Sequence, residues 1–178
     1  MSVFETVKSR YSVRDFDSPC EISEAQVQQL LEAVQAAPSA MNSQPWSVVV
    51  VREQETKQKI ASAFPGNPAA KGILSAGVVL VACRDRSAGF VKDNIDYSLV
   101  DMGIAFQQMV LVAWEMGLGT CWVCGGELKK VAEVLGVPET HDVIAVFPIG
   151  KRQDVQARTK NRKDLAAFTH KERWCGGR

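Results

Sequence analysis

The sequence predicts an α+β sandwich. Strand-sized and helix-sized patterns are interleaved along 178 residues, with no internal repeat. Apolar runs at 46–52, 77–83 and 143–149, rich in β-branched residues, supply central strands. The longest helical pattern, 96–116, falls in the middle of the chain and carries little charge, so it needs cover from a sheet.

Taken in order, Ser2 and Glu5 have the spacing of a capping box and open a short helix with apolar Val3, Phe4 and Val7. Ser23 and Gln26 repeat that signature ahead of Val27, Leu30, Leu31 and Val34, the i, i+3, i+4, i+7 pattern of an amphipathic helix. Pro38 ends this helix near Ala36, because the residue before a proline avoids helical geometry. A strand over 46–52 and a helix over 53–64 follow, the latter stopped by Pro65 and Gly66. A helical turn near Ala70 precedes the strand over 77–83. In the long helix Leu99, Met102, Phe106, Met109, Val110, Ala113 and Trp114 keep three- and four-residue steps, predicting a deeply buried element. Gly117 to Gly119 end it and lead to a strand through Val123. A short helix over 126–135 and the strand over 143–149 complete the core.

From Lys151 the chain turns polar and basic, with Leu165, Phe168 and Trp174 as its apolar anchors. Too sparse to pack on itself, such a segment is expected to lie across a partner subunit. The whole of 1–178 reads as a single domain, with 151–178 as that arm.

A hydrophobic fraction of 46% and a charged fraction of 23% belong to a globular class that buries a real core. The formal net charge is +1, which gives no global attraction to nucleic acid or an anionic membrane. The apolar runs fall far short of the about 20 residues that span a bilayer. Glu5, Lys8, Arg10 and Arg14 interrupt the N-terminal stretch, so a secretory leader is not expected. Five scattered cysteines (Cys20, Cys83, Cys121, Cys124, Cys175) argue against a disulfide framework and for a reducing compartment, hence a cytoplasmic location.

The polar stretch from Ala37 to Trp46 stands out. Ser39, Asn42, Ser43 and Gln44 offer donors and acceptors, while Pro38 and Pro45 stiffen the backbone. Such a turn suits a flat heteroaromatic ligand, and equally an ordinary helix-to-strand connection. Arg10, Ser12 and Arg14 alternate; in extended chain they share one face and match a phosphate monoester, or else form a solvated strand. Lys160 and Arg162 repeat the i, i+2 spacing. Asn67 and Lys71 lie one helical turn apart, within reach of one ligand.

Cys121 and Cys124 form C-x-x-C. Zinc would need two more ligands, and His141 and His170 are far apart and expected at the surface. A thioredoxin-like dithiol needs its first cysteine at a helix start, whereas Cys121 is beside a strand. Gly117-x-Gly119 precedes a strand and lacks the third glycine of a dinucleotide fingerprint. Asp101, in the long helix, reads as hydrogen-bonded structure. A ligand cradle with no evident side-chain catalyst and no metal set suits a protein whose cofactor performs the chemistry.

These segments together resemble the nitroreductase family of FMN-dependent flavoenzymes. R-x-S-x-[RK]-x-F stands here as Arg10 to Phe16, and A-P-S-x-x-N-x-Q-P-W as Ala37 to Trp46. D-x-G-x-A-x-Q stands as Asp101 to Gln107, G-L-G-T-C-W as Gly117 to Trp122, and K-x-R as Lys160 and Arg162. The resemblance implies a mostly antiparallel sheet flanked by helices, in a homodimer with two FMN sites between the subunits and the C-terminal tail reaching across. It implies that Arg10, Ser12, Arg14, Lys160 and Arg162, with Tyr11 inside the same motif, hold the phosphate. Pro38, Ser39 and Ala40 would come from the other subunit to pack on the flavin, supported by Asn42 and Gln44. Asn67 and Lys71 would approach the ring's polar edge, and the backbone N–H of Cys124, between Val123 and Gly125, would face flavin N5.

The implied activity is ping-pong hydride transfer from NADH or NADPH, through N5, to a small acceptor such as a nitroaromatic or a quinone. Tyr11 stands where a basic or polar residue is common, and Cys124 where an acidic one is frequent, which leaves substrate choice open. Rival expectations are a specialised flavin dehydrogenase or reductive dehalogenase of the same fold, a non-enzymatic flavin-binding protein, and a thiol redox protein using Cys121 and Cys124.

Overall fold

The structure, a computed structural model, describes residues 1–16, 21–152 and 160–174; Cys20 and Cys175 lie outside them. Both expected capping boxes form. Ser2 opens helix α1 (Val3–Ser9) and Ser23 opens α2 (Glu24–Gln35), each side chain accepting the N–H three residues on. Helix α2 stops at Ala36, two residues before Pro38.

Four strands make one antiparallel sheet: β1 (Trp46–Val51) pairs with β2 (Val78–Asp85), β2 with β6 (His141–Lys151), and β6 with β5 (Leu118–Thr120). Side-chain alternation along β2 divides the interior in two. Val79, Val81 and Cys83 enter one core, while Val78, Leu80 and Ala82 enter the other. Strand β6 serves both through a bulge. Ala82 pairs with Ala145 but Cys83 with Val143, so Ile144 is the extra residue and Val143 joins Val146 on one face.

The first core is roofed by α3 (Gln54–Ala61), α4 (Ala69–Ser75) and α6 (Leu128–Leu135), through fully buried Ile60, Ile73 and Val131. The second is roofed by α2 and the 19-residue α5 (Tyr97–Glu115), through Leu30, Met102, Phe106 and Met109. Phe106 stacks on Phe147 of β6 at 5.1 Å between ring centroids.

The structure departs from sequence expectation in four places. Helix α3 ends at Ala61 with Ser62 as its cap, and the chain continues through tight i→i−3 turns, Ala63 N–H donating to Ile60 and Phe64 N–H to Ala61. Strand β5 stops at Thr120, whose carbonyl accepts the N–H of Val13, and Val123 meets β6 only through a bridge to Val146. A hairpin joins β3 (Val91–Lys92) to β4 (Ile95–Asp96), with Asp93 and Asn94 at φ of 53° and 63°, the conformation a two-residue hairpin turn requires. Finally, α5 is not buried all round. Leu99, with Val100 and Ile104, is 48%, 49% and 39% exposed respectively, because α2 and the sheet cover the opposite face.

Candidate functional site

Residues 10–16 run without regular structure from the end of α1 across the first core. Tyr11 and Val13 pack inward, which leaves Arg10, Ser12 and Arg14 to share the other side, as the alternation predicts. Two glycines let this strip lie close. A Cβ on Gly72 of α4 would sit 2.9 Å from the Arg14 carbonyl oxygen, and one on Gly119 of β5 would sit 2.6 Å from Val13 Cγ2. Any larger residue at either place pushes the strip off its bed.

Trp114, near the end of α5, ties the neighbourhood together. Its buried indole N–H donates to Ser9 Oγ at 2.9 Å, and its ring takes the edge of Tyr11 at 5.1 Å. The guanidinium of Arg152 lies 3.9 Å over the same ring and donates to the Trp114 carbonyl at 2.7 Å. The strip that carries Arg10, Ser12 and Arg14 and the end of β6 at Arg152 are thus moored to one residue. Sequence reasoning assigned Trp114 to the core and overlooked this mooring, whose one clue was an indole N–H needing a partner inside a buried helix.

Lys160 returns from the C-terminal arm to α1, where its Nζ donates to the carbonyl of Val7 at 3.5 Å and to that of Lys8. A lysine on the last carbonyls of a helix satisfies orphan acceptors and complements the helix dipole. Burial, and after it the like charge of Arg162, pull the Arg10 guanidinium below its ordinary value. Burial, followed by Arg10 and Arg162, does the same to Lys160. Cys121 lies against Ser12 and within electrostatic reach of Arg10 and Arg14. Burial raises its thiol, and those neighbours only partly oppose the rise. Residues from opposite ends of the sequence therefore form one crowded cationic cradle.

Asn67 and Lys71 have different partners within the chain. Asn67 donates to the Gly125 carbonyl at 3.3 Å and caps the N–H of Ala69 at 2.9 Å, which fixes the Val123–Cys124–Gly125 segment beside α4. Lys71 instead pairs with Asp15 at 2.6 Å. Cys124 is exposed, whereas Val123 is buried.

The remaining sequence-predicted residues form a second cluster. Ser39 Oγ accepts the N–H of Gln44 at 2.9 Å, Gln44 Nε2 donates to the Asn42 carbonyl at 3.2 Å, and the Ala40 N–H donates to Asp101 Oδ1 at 3.0 Å. Pro38 is exposed at the start of this loop. Its hydrogen bonds run to α5 and within itself, so among the described residues the loop and the cradle are separate clusters. Among the described residues no group of three or more His, Cys, Asp or Glu could hold a metal ion, and no helix is long and apolar enough to cross a membrane.

Three comparisons bear on this arrangement. An FMN reductase (NAD(P)H) of Bacillus subtilis is 30% identical over 188 residues, covering 96% of this chain and 73% of its own. An oxygen-insensitive NADPH nitroreductase of Helicobacter pylori is 27% identical over 194 residues, covering 89% of this chain and 91% of its own. A chain from Exiguobacterium sibiricum, solved in complex with FMN, shares the fold at a TM-score of 0.83 and 23% identity, over 96% of this chain and 97% of its own. The family model for nitroreductases matches residues 7–72 and 65–151, which takes in the strip, the polar loop, α5 and β5. The chain belongs to the nitroreductase family.

Proposed function

We propose that this protein is an FMN-dependent NAD(P)H oxidoreductase, working as a cytoplasmic homodimer on small electron acceptors such as nitroaromatics or quinones. One observation carries the reading: Arg10 lies within electrostatic reach of both Lys160 and Arg162, although like charges repel, and with Arg14 it flanks Cys121 beside Ser12. A phosphate dianion turns that repulsion into charge-assisted hydrogen bonding, so the donor set fits the phosphate end of FMN. The names of the two enzyme relatives and the FMN in the third support the same choice.

In this reading Arg10, Ser12, Arg14, Lys160 and Arg162 hold the phosphate, and Tyr11 braces the strip from Trp114. The backbone N–H of Cys124, between Val123 and Gly125, faces the reactive edge of the ring, with Asn67 steadying that segment and Lys71 at the polar rim. Pro38, Ser39 and Ala40 come from the second copy to cover the ring, in a loop shaped by Asn42 and Gln44. Bound FMN supplies the hydride-accepting chemistry. The chain's own residues bind, orient and exclude water, and no side chain is required as acid or base. A backbone donor at a position where negative charge develops stabilises it without reorganisation.

The test is anaerobic stopped-flow mixing of the flavin-loaded protein with NADH and with NADPH. The expected result is loss of the bound flavin's visible absorption with at least one of them, and its return on adding a quinone. A flavin that neither donor bleaches would refute the reductase and leave a flavin-binding protein without turnover.

A further inference from the structure

Asp101 lies in the second turn of α5 with 3% of its surface exposed. Its Oδ1 accepts the Ala40 N–H at 3.0 Å, whereas its Oδ2 is buried with no hydrogen-bond partner. A buried carboxylate with an idle oxygen is costly, and a stable fold keeps such a group where it does something that an apolar residue cannot. The segment it grips is strained: Met41, Asn42 and Gln44 hold φ of 55°, 56° and 47°, a region that non-glycine residues avoid. The other bonds of residues 39–44 are internal, running from Asn42 N–H to Ser39, from Ser43 N–H to Ala40 and from Gln44 to Ser39 and Asn42. Ser43 Oγ, like Asp101 Oδ2, is buried and unpartnered. Among the described residues, the Asp101–Ala40 bond is the hydrogen bond that ties this strained loop to a rigid element.

We infer that Asp101 is a positioning residue: its carboxylate clamps Ala40 and so presents Pro38, Ser39 and Ala40 to the flavin of the neighbouring copy. The inference rests on the proposed function and adds to it a residue that touches neither flavin nor substrate. A side-chain oxygen held on a buried turn of α5 suits a clamp that must hold left-handed backbone in place. The anchor sits on a helix packed against the sheet, so its position is fixed by the second core.

The experiment compares wild type, Asp101→Leu, which keeps the fork at Cγ but is bulkier and has no acceptor, and Asp101→Asn, which keeps Oδ1. Three quantities are read: the FMN dissociation constant, the visible circular dichroism of the bound flavin, and amide hydrogen exchange at Ala40 in flavin-free protein. Asp101→Leu is expected to weaken FMN binding about tenfold, to alter the flavin dichroism and to speed Ala40 exchange about tenfold or more; Asp101→Asn is expected to restore all three to within about threefold. Should Asp101→Leu not fold, Ala40→Pro deletes the donor instead and carries the same expectation for FMN binding and for the flavin dichroism. Ser39 is already extended at φ −141° and ψ 156°, as a residue before proline must be. Wild-type values in Asp101→Leu, or equal losses in the Leu and Asn variants, would overturn the clamp. A wild type that takes up no FMN would instead overturn the flavin reading on which the clamp depends, so the two failures are told apart.

Discussion

At the scale of single residues, the cradle is a set of cations that stay apart in sequence and meet in space. Burial lowers the proton affinity of Arg10 and of Lys160; after burial, Arg162 adds to it for Arg10, and Arg10 with Arg162 for Lys160, an arrangement that an anion would relieve. Arg10→Ala or Arg162→Ala is expected to weaken FMN binding by about 1.5–3 kcal/mol, the usual worth of a hydrogen bond to a charged group. Isothermal titration of flavin-free protein checks this, and unchanged affinity would remove those residues from the phosphate. The alternation of Arg10, Ser12 and Arg14 was legible in the sequence because extended chain has a period of two and Val13 needs burial. Lys71 was not, since its nearest anion, Asp15, is 56 residues away in the chain.

Among the elements, α1 decides whether the strip is held. It docks on the end of α5 through Glu115, which accepts from Thr6 Oγ1 at 2.8 Å and from the N-terminal ammonium at 3.3 Å. The Thr6 bond first, and the ammonium after it, hold the Glu115 carboxyl below its ordinary 4.5; Glu5 nearby works the other way. A depressed carboxyl contributes stability that is complete above the unfolded value and is lost as pH falls through the folded one. Amide protection of α1 is therefore expected to fall when the pH drops below about 4.5, and Glu115→Gln to remove that acid step. The same step in the Gln variant would place the acid sensitivity elsewhere.

Both capping boxes and the periodic helices could be read in advance, because their signals are local. The β3–β4 hairpin could not: its turn is Asp-Asn rather than a glycine pair, and its strands are two residues each. The open face of α5 was hidden for a different reason. A helix apolar on all sides reads as buried, and nothing in its own sequence says whether the cover is its own sheet or another chain.

For the whole molecule, that open face is the argument for two copies. Val100, Gly103, Ile104 and Leu111 recur at helical spacing along the outside of α5, and apart from the helix's own backbone and the adjoining residues no described heavy atom lies within 4 Å of a Cβ built on Gly103. A hollow of about 310 Å³ beside it is lined by Val3, Gln108, Leu111 and Met116. On the arm, Leu165 and Trp174 are 73% and 79% exposed. Exposed apolar surface of this kind suits a partner, and the proposed homodimer requires that such a partner bring the polar loop of one chain to the cradle of the other. The family resemblance is the source of this expectation; periodicity alone cannot supply it, since the polar loop and the cradle lie apart within one chain.

Subunit mixing tests this sharing of the site most directly. One variant loses its cradle through Arg10→Ala with Arg14→Ala, and the other has its loop obstructed by Ala40→Trp. Each alone should hold little FMN. After co-refolding, random pairing should rebuild about a quarter of wild-type flavin sites, because each mixed dimer joins one intact cradle to one intact loop. Flavin content no higher than the average of the two separate variants would contradict a site made by two chains.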